Sequence, residues 1–251
     1  RAGEVCDVYL SEDVLLRHDD IVHLAREATR WVHTVTEDVA RALSRDAQGV
    51  VAVARAGALV GGAVPPAGEP WSGRTWAVDS PPPRRGTEVV VVLADTQDPG
   101  NAGTVIRTAD ATGADGLVLT RGSVDPGSPK VVRSSAGSVF HLPLVTGVDL
   151  GDVVDALHAR GCVVVGTSGR DGSLDLSELL DDALTREPSL LGGPHAWVMG
   201  NEARGLSEQQ EALCDVLVRV PMTGAAESLN LAAAAAMCLF SSQHVRTHHR
   251  R

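Results

Sequence analysis

Apolar positions in this chain fall into short blocks divided by polar, helix-forming segments, and the blocks change character about a third of the way along. In the first stretch, Val5–Leu10 and Trp31–Val35 carry β-branched and aromatic residues, and Gly49–Ala54 is a run typical of a buried strand. Asp19-Asp20 precede a predicted helix over residues 21–29, and Thr36 is placed to cap another over Glu37–Leu43. Residues 1–56 therefore read as a small α/β unit. Residues 57–86 break the pattern with Gly57, Gly61-Gly62, Pro65-Pro66, Pro70, Gly73 and Pro81-Pro82-Pro83, a density that reads as a linker or surface excursion. Its tryptophans, Trp71 and Trp76, are expected to pack back onto a domain rather than stack on a base.

A larger α/β unit occupies residues 87–251. Glu88–Ala94 contains Val89-Val90-Val91-Val92-Leu93, the continuous apolar run of a parallel strand buried on both faces. Predicted elements then alternate. A helix over Ala102–Thr112 leads to a strand over Gly116–Leu119, a short helix over Val131–Ala136 and a strand ending at 141–144. A helix over Asp149–Arg160, a strand over Cys162–Gly166, a helical piece over Leu176–Asp182 and a strand over His195–Met199 come next. A helix over Leu206–Ala212, a strand over Asp215–Val220 and a long Ala-rich helix over Ser228–Arg246 complete the series. Such β-α alternation calls for a parallel sheet with helices on both faces.

Composition constrains the class of protein more than its partners. The 251 residues, 43% hydrophobic and 22% charged, suffice for two modest domains or one large one. No apolar run is long enough to span a bilayer, and no cleavable leader is visible. The opening Arg1-Ala2-Gly3-Glu4 lacks an initiator Met, which implies a start within a longer gene product. Cys6, Cys162, Cys214 and Cys238 form no CxxC pair, so neither a zinc site nor a disulfide framework is expected, and free buried thiols fit a reducing, cytoplasmic setting. The net charge of −10 argues against a protein that simply coats nucleic acid. Lys130 is the sole lysine, and wholesale Arg usage also follows from a GC-rich genome, so charge alone decides no partner.

Three predicted strand ends carry unusual residue sets, and open parallel sheets bind ligands there. In Asp95–Ala109, Pro99-Gly100 turns out of the strand, Asn101 is placed to cap the helix, and Gly103 shares a face with Arg107 and lets a partner approach. The plain structural alternative is an Asn cap and an Arg107–Asp110 ion pair. In Met199–Ser207, glycines bracket Glu202 and Arg204. Glu202 there orients Arg107 or Arg204, accepts a proton, or caps the next helix. In Val220–Leu231, Ser228 and Asn230 flank a helix start whose free amides suit an anion. The alanines that follow permit close packing on the chain's own sheet or on a second subunit.

Together these segments resemble the signature motifs of the SPOUT-class RNA methyltransferases, TrmH/SpoU branch. N-x-G-x-x-x-R-T-A is met by Asn101, Gly103, Arg107, Thr108 and Ala109; G-x-E-x-x-G-L by Gly200, Glu202, Gly205 and Leu206; P-M-x-G-x-x-x-S-L-N by Pro221, Met222, Gly224, Ser228, Leu229 and Asn230. Arg133–Ser138 is similar to that branch as well, so the likeness covers residues 88–246. The resemblance implies a parallel-sheet fold with a C-terminal trefoil knot, a homodimer with a shared site, and S-adenosyl-L-methionine as cofactor. It places Thr167, Gly200, Val220, Met222 and Leu229 around that cofactor. The first unit resembles, by position and element order, the RNA substrate-binding domain often fused to this branch.

The implied reaction is methyl transfer to a ribose 2′-hydroxyl of structured RNA, rRNA first and tRNA second, with no metal. Arg107 stabilises charge developing on the oxygen, being a poor proton acceptor. Glu202 orients it, or the substrate, while Asn101, Ser228 and Asn230 fix loops and ribose. A dinucleotide-binding enzyme is disfavoured because Pro99–Gly103 does not meet G-x-G-x-x-G. A non-catalytic RNA-binding protein of the same fold is disfavoured by the intact polar residues of all three motifs.

Overall fold

In a computed structural model, which describes residues 4–55, 59–61, 63–71, 88–186 and 188–249, the chain forms two compact units, Arg1–Ala58 and Leu59–Arg251. Trp76 lies outside the described residues.

In the first unit, β1 (Val5–Ser11) pairs in parallel with β2 (Val32–Val35) and antiparallel with β3 (Val50–Ala54). The helices are α1 (Glu12–Arg17), α2 (Asp19–Ala28) and α3 (Glu37–Leu43). Thr36 caps α3 through the Val39 amide, as its position before Glu37-Asp38 predicts, and Ser11 caps α1, a helix the sequence pattern does not reveal. Val8, Leu10, Val14, Val22 and Ala25 form the unit's core.

Among the described residues the second unit has eight strands: β4 (Val60–Gly61), β5 (Val89–Leu93), β6 (Gly116–Thr120), β7 (Leu144–Val148), β8 (Val163–Thr167), β9 (Leu174–Asp175), β10 (His195–Met199) and β11 (Val216–Arg219). Their order is β4-β7-β6-β5-β10-β8-β11-β9, and every neighbouring pair is parallel. The helices are α4 (Pro99–Thr112), α5 (Pro129–Ser134), α6 (Leu150–Ala159), α7 (Leu176–Thr185), α8 (Glu208–Glu211) and α9 (Leu231–His248). All five residues of β5 are fully buried. Val89, Val91 and Leu93 join the core with α4 and α9, while Val90 and Val92 join the opposite core with α6. The all-apolar run is thus explained by two covered faces.

Several boundaries differ from the sequence pattern. The strand expected to end at 141–144 begins there instead: residues 138–140 form a short 3-10 turn, and β7 runs on through Val145 and Thr146. The Pro143 carbonyl receives the Leu117 amide, so the proline introduces the strand rather than closing it. The helix expected over 206–212 shrinks to α8, because Ser207 forms a capping box with Gln210 and Leu206 is buried before it. Part of the Pro/Gly-rich segment belongs to the second unit, with Val60–Gly61 pairing along β7. Trp71 is buried, its ring filling the space that a side chain at Gly116 would take. Its indole donates to Glu88, which also pairs with Arg160 at 2.8 Å. Arg160 Nη1 further donates to the carbonyls of Pro65, Pro66 and Glu69. The proline-rich stretch that follows β4 is thus tied at three carbonyls by one guanidinium.

Candidate active site at the carboxyl end of the sheet

The strands reverse direction of addition around β5, β10 and β8, and the loops leaving those strands and β11 carry the three motifs. Motif one starts with Asp95, whose backbone is left-handed at φ 57°, and leads into α4. Asp98, not Asn101, caps α4: its carboxylate accepts the Gly100 and Asn101 amides at 2.6 and 3.0 Å. Those two amides, Asn101 first, hold the Asp98 pKa below the usual carboxylate value, against a smaller opposing effect of desolvation. Asn101 is thereby freed for another task. Its side-chain oxygen accepts from Asn230 Nδ2 at 3.0 Å.

Gly103 works as the motif spacing suggests, by letting a partner close in. That partner is α5: a Cβ at 103 would strike the Ser134 side chain and lie 2.8 Å from the Val131 carbonyl oxygen. Ser134 Oγ meets the carbonyls of Pro99 at 3.0 Å and Lys130 at 2.8 Å, so the Arg133–Ser138 segment serves as the buttress of α4. Arg107, on the same helix, is exposed and has no ion-pair partner among the described residues. The alternative partner, Asp110, is engaged by His141 at 3.2 Å.

Glu202 corrects the sequence reading. It forms no ion pair with Arg107 or Arg204; its two carboxylate oxygens accept the Gln97 and Asp98 amides at 3.2 and 3.1 Å. The acid of motif two thus holds the backbone of motif one, and Ser207 rather than Glu202 caps the following helix. Asn201 adds a second tie, donating to the Asp95 carbonyl at 2.9 Å. Gly205, at φ 67°, closes this loop through reciprocal backbone bonds with Asn201. Gly200 is buried where a side chain would collide with the backbone of Gly205 and Leu206.

Asn230 is the N-cap of α9, accepting from the Ala232 and Ala233 amides at 2.9 and 3.4 Å. The helix therefore begins at Leu231, and Ser228 lies in the exposed loop before it. A cleft of about 170 Å³ opens where this loop passes the ends of β8 and β11. Thr167, Val220, Met222 and Leu229 line it together with Ser168 and Ser228; Gly200 is not among its lining residues. Met222 and Leu229 remain 42% and 36% exposed at the cleft edge. Ala234, on the first turn of α9, also lines the cleft, so the Asn101–Asn230 pair and the cleft share one helix start.

The sequence motifs did not single out Ser168, Asp98 or Glu211. Ser168 Oγ donates to Glu211 at 2.7 Å; the acid is almost fully buried. Away from the site, burial pushes the thiols of Cys162 and Cys238 up to about 12 and that of Cys214 to about 11, as expected for structural cysteines.

These features define an α/β protein whose parallel sheet ties three strand-end loops together by hydrogen bonds, with a cleft beside the third of them. The chain belongs to the SpoU rRNA Methylase family, whose model matches residues 88–240. It is 42% identical over 153 residues to a 23S rRNA (uridine(2479)-2′-O)-methyltransferase of Streptomyces viridochromogenes, a match covering 59% of this chain and 50% of that relative. It is 38% identical over 151 residues to the 23S rRNA (guanosine(2553)-2′-O)-methyltransferase RlmP of Bacillus subtilis, covering 60% and 56%. The matches therefore span only about half the length of these relatives. The fold is similar to the crystal structure of the SpoU methyltransferase AviRb from Streptomyces viridochromogenes, with a TM-score of 0.74 and 30% identity over 98% of this chain and 84% of that one. It is also similar to an AdoMet-bound rRNA methyltransferase from Sinorhizobium meliloti, with a TM-score of 0.72 and 28% identity over 96% and 80%.

Proposed function

We propose that this protein transfers a methyl group from S-adenosyl-L-methionine to a ribose 2′-hydroxyl of rRNA. The observation that carries this reading is the way three loops meet. Glu202 holds the amides of 97–98, Asn230 holds Asn101, and the shared α9 start borders the cleft. The names of the relatives, 23S rRNA 2′-O-methyltransferases, and the AdoMet-bound neighbour support it.

The cleft suits the cofactor. Its lining mixes exposed apolar side chains, Met222 and Leu229, with backbone at strand ends, matching a ligand that carries both an aromatic base and polar edges. Thr167, Val220, Met222 and Leu229 would hold it, with Gly200 allowing the close packing of its own loop on Gly205–Leu206. When bound, it supplies a methyl carbon already electrophilic on a sulfonium. Arg107, exposed and unengaged by any described carboxylate, is free to stabilise negative charge developing on the ribose oxygen. Asn101, Ser228 and Asn230 fix the loops and the ribose. Glu202 acts one step removed, through the loop that leads into α4.

The first unit is an RNA-contacting domain. A cleft of about 560 Å³ there is bordered by Arg26, Arg30, Arg55 and Trp31. Asp7 and Glu27 also line it but are engaged by His33 at 2.9 Å and His23 at 3.2 Å. The three arginines have no carboxylate partner among the described residues, and Arg30 lies 4.9 Å over the Trp31 ring, whose exposed face suits a base.

The protein works as a cytoplasmic homodimer with a trefoil knot. Ala233, Met237, Phe240 and His244 form an exposed stripe on α9, with Phe240 59% exposed and stacked on His244 at 5.9 Å. Such a stripe suits a second copy of the chain. The insertion of β10 between β5 and β8, followed by the return of α9 to meet α4, is the ordering that supports the knot.

The test is incubation of the purified protein with methyl-labelled cofactor and protein-free rRNA, followed by mapping of alkali-resistant linkages. Label at a ribose is expected. Label only on bases, or none with any RNA, overturns the reading, and preferential labelling of tRNA overturns the rRNA assignment.

A further inference from the structure

The polar network behind the cofactor cleft has a centre that no motif contains. Glu211, at the end of α8, is 9% exposed and carries one hydroxyl and one guanidinium partner. One carboxylate oxygen accepts the Ser168 hydroxyl at 2.7 Å, and the other pairs with Arg170 Nη1 at 2.9 Å. Ser168 Oγ in turn accepts the Arg170 amide at 3.2 Å, and the Ser168 amide donates to the Val218 carbonyl at 2.9 Å. Thr167, Ser168 and Gly169 are themselves cleft-lining residues. The loop leaving β8 is therefore fixed at two of its polar side chains, Ser168 and Arg170, by one carboxylate from a different element.

A merely structural explanation of Glu211 is incomplete. A four-residue helix at the surface would ordinarily turn its last acid to water, since burying a charge costs several kcal/mol unless it is fully paired. Here both oxygens are spent on a loop with no long side chain of its own in the core. Exposed Glu208 also approaches Arg170, at 3.5 Å, but makes no contact with Ser168. Among the described residues only Glu211 reaches both.

We propose that Glu211, through Ser168 and Arg170, is a positioning residue that sets the affinity of the cleft for S-adenosyl-L-methionine. This rests on the assignment of the cleft as the cofactor site. Pre-ordering the 168–170 loop removes part of the entropy lost on binding, so releasing it weakens affinity without touching the groups around the reacting oxygen. Asn101 and Asn230 are held by other bonds, to which Glu211 contributes none, and exposed Arg107 makes no contact with Glu211.

The experiment measures cofactor affinity by calorimetry, together with KM for the cofactor and kcat at saturating cofactor. The full-length wild type is compared with Glu211→Ala, Glu211→Gln, Ser168→Ala and Arg170→Ala. Glu211→Ala is expected to weaken affinity and raise KM on the order of tenfold, the loss of a charge-assisted contact, with kcat within about twofold. Glu211→Gln keeps an acceptor for Ser168 and restores part of the affinity; Ser168→Ala and Arg170→Ala fall between. Wild-type affinity in Glu211→Ala, or a fall in kcat with KM unchanged, overturns the proposal. If Glu211→Ala does not fold, Ser168→Ala decides by the same criterion. Failure of the wild type itself to bind the cofactor instead sinks the assignment of the cleft.

Discussion

Asn230 donates its side-chain amide to the side-chain oxygen of Asn101 at 3.0 Å, across 129 residues of sequence. The same Asn230 accepts two amides at the start of α9, so one side chain both begins a helix and fastens it to the first motif. Removing it should have a double effect. Asn230→Ala is expected to lower stability by about 1–2 kcal/mol through the lost cap, and Asn101→Ala by less. In a thermal or urea double-mutant cycle the pair should couple by about 0.5–1.5 kcal/mol. Strict additivity would show that the bond carries no energy.

Arg107 is exposed and unpaired among the described residues, so its replacement should cost the fold little. Arg107→Ala is expected to unfold within about 0.5 kcal/mol of the wild type and to bind cofactor normally. Methyl transfer to RNA should fall by at least about a hundredfold, the scale for loss of a donor aimed at developing charge. Undiminished ribose labelling would remove Arg107 from the chemistry.

Arg160 presents the opposite case. Its side chain is 5% exposed, pairs with Glu88, lies 5.5 Å from the Trp71 ring, and holds three backbone carbonyls of the Pro/Gly-rich segment. Arg160→Ala leaves Glu88, 16% exposed, without its cation and three carbonyls without their donor, and should destabilise the protein on the order of 3 kcal/mol. Chemical denaturation measures this directly, and limited proteolysis should locate the new cleavage near residues 63–71.

His195 gives the fold a dependence on acid. It is fully buried and its Nδ1–H donates to the Gly193 carbonyl at 2.9 Å. Ser242, which also receives the Trp197 indole, meets its Nε2 at 2.7 Å. Burial, with a smaller contribution from Arg246, lowers its pKa to about 4, against the Gly193 bond that favours the proton. The unfolded chain, titrating near 6.5, therefore binds the proton first as pH falls. Stability should be full above about pH 6.5 and decline towards pH 4, by up to about 3 kcal/mol from this residue. A His195→Gln variant should show a flatter melting-temperature profile across that window; an identical slope would assign the acid sensitivity elsewhere.

What the sequence determined by itself was whatever depends on local pattern. The apolar run Val89–Leu93 could only be a strand covered on both faces, and Gly103 had to face something close. Motif spacing marked the three loops that carry the site, because ligand-binding residues in a parallel sheet collect at strand ends. Tertiary structure alone decided which partner each polar side chain found. The cap of α4 fell to Asp98 because the helix starts at Pro99, which left the Asn101 side chain for Asn230 of another motif, and Glu202 turned to the 97–98 amides rather than to an arginine. Arg160 and Glu211 stayed invisible in sequence for the same reason. An arginine or a glutamate in a helical segment reads as a solvated surface residue, and only chain crossing brings the carbonyls, hydroxyl or counter-charge that justify burying it. Pattern fixes which face of an element is apolar; pairing across long sequence separations fixes where its charges go.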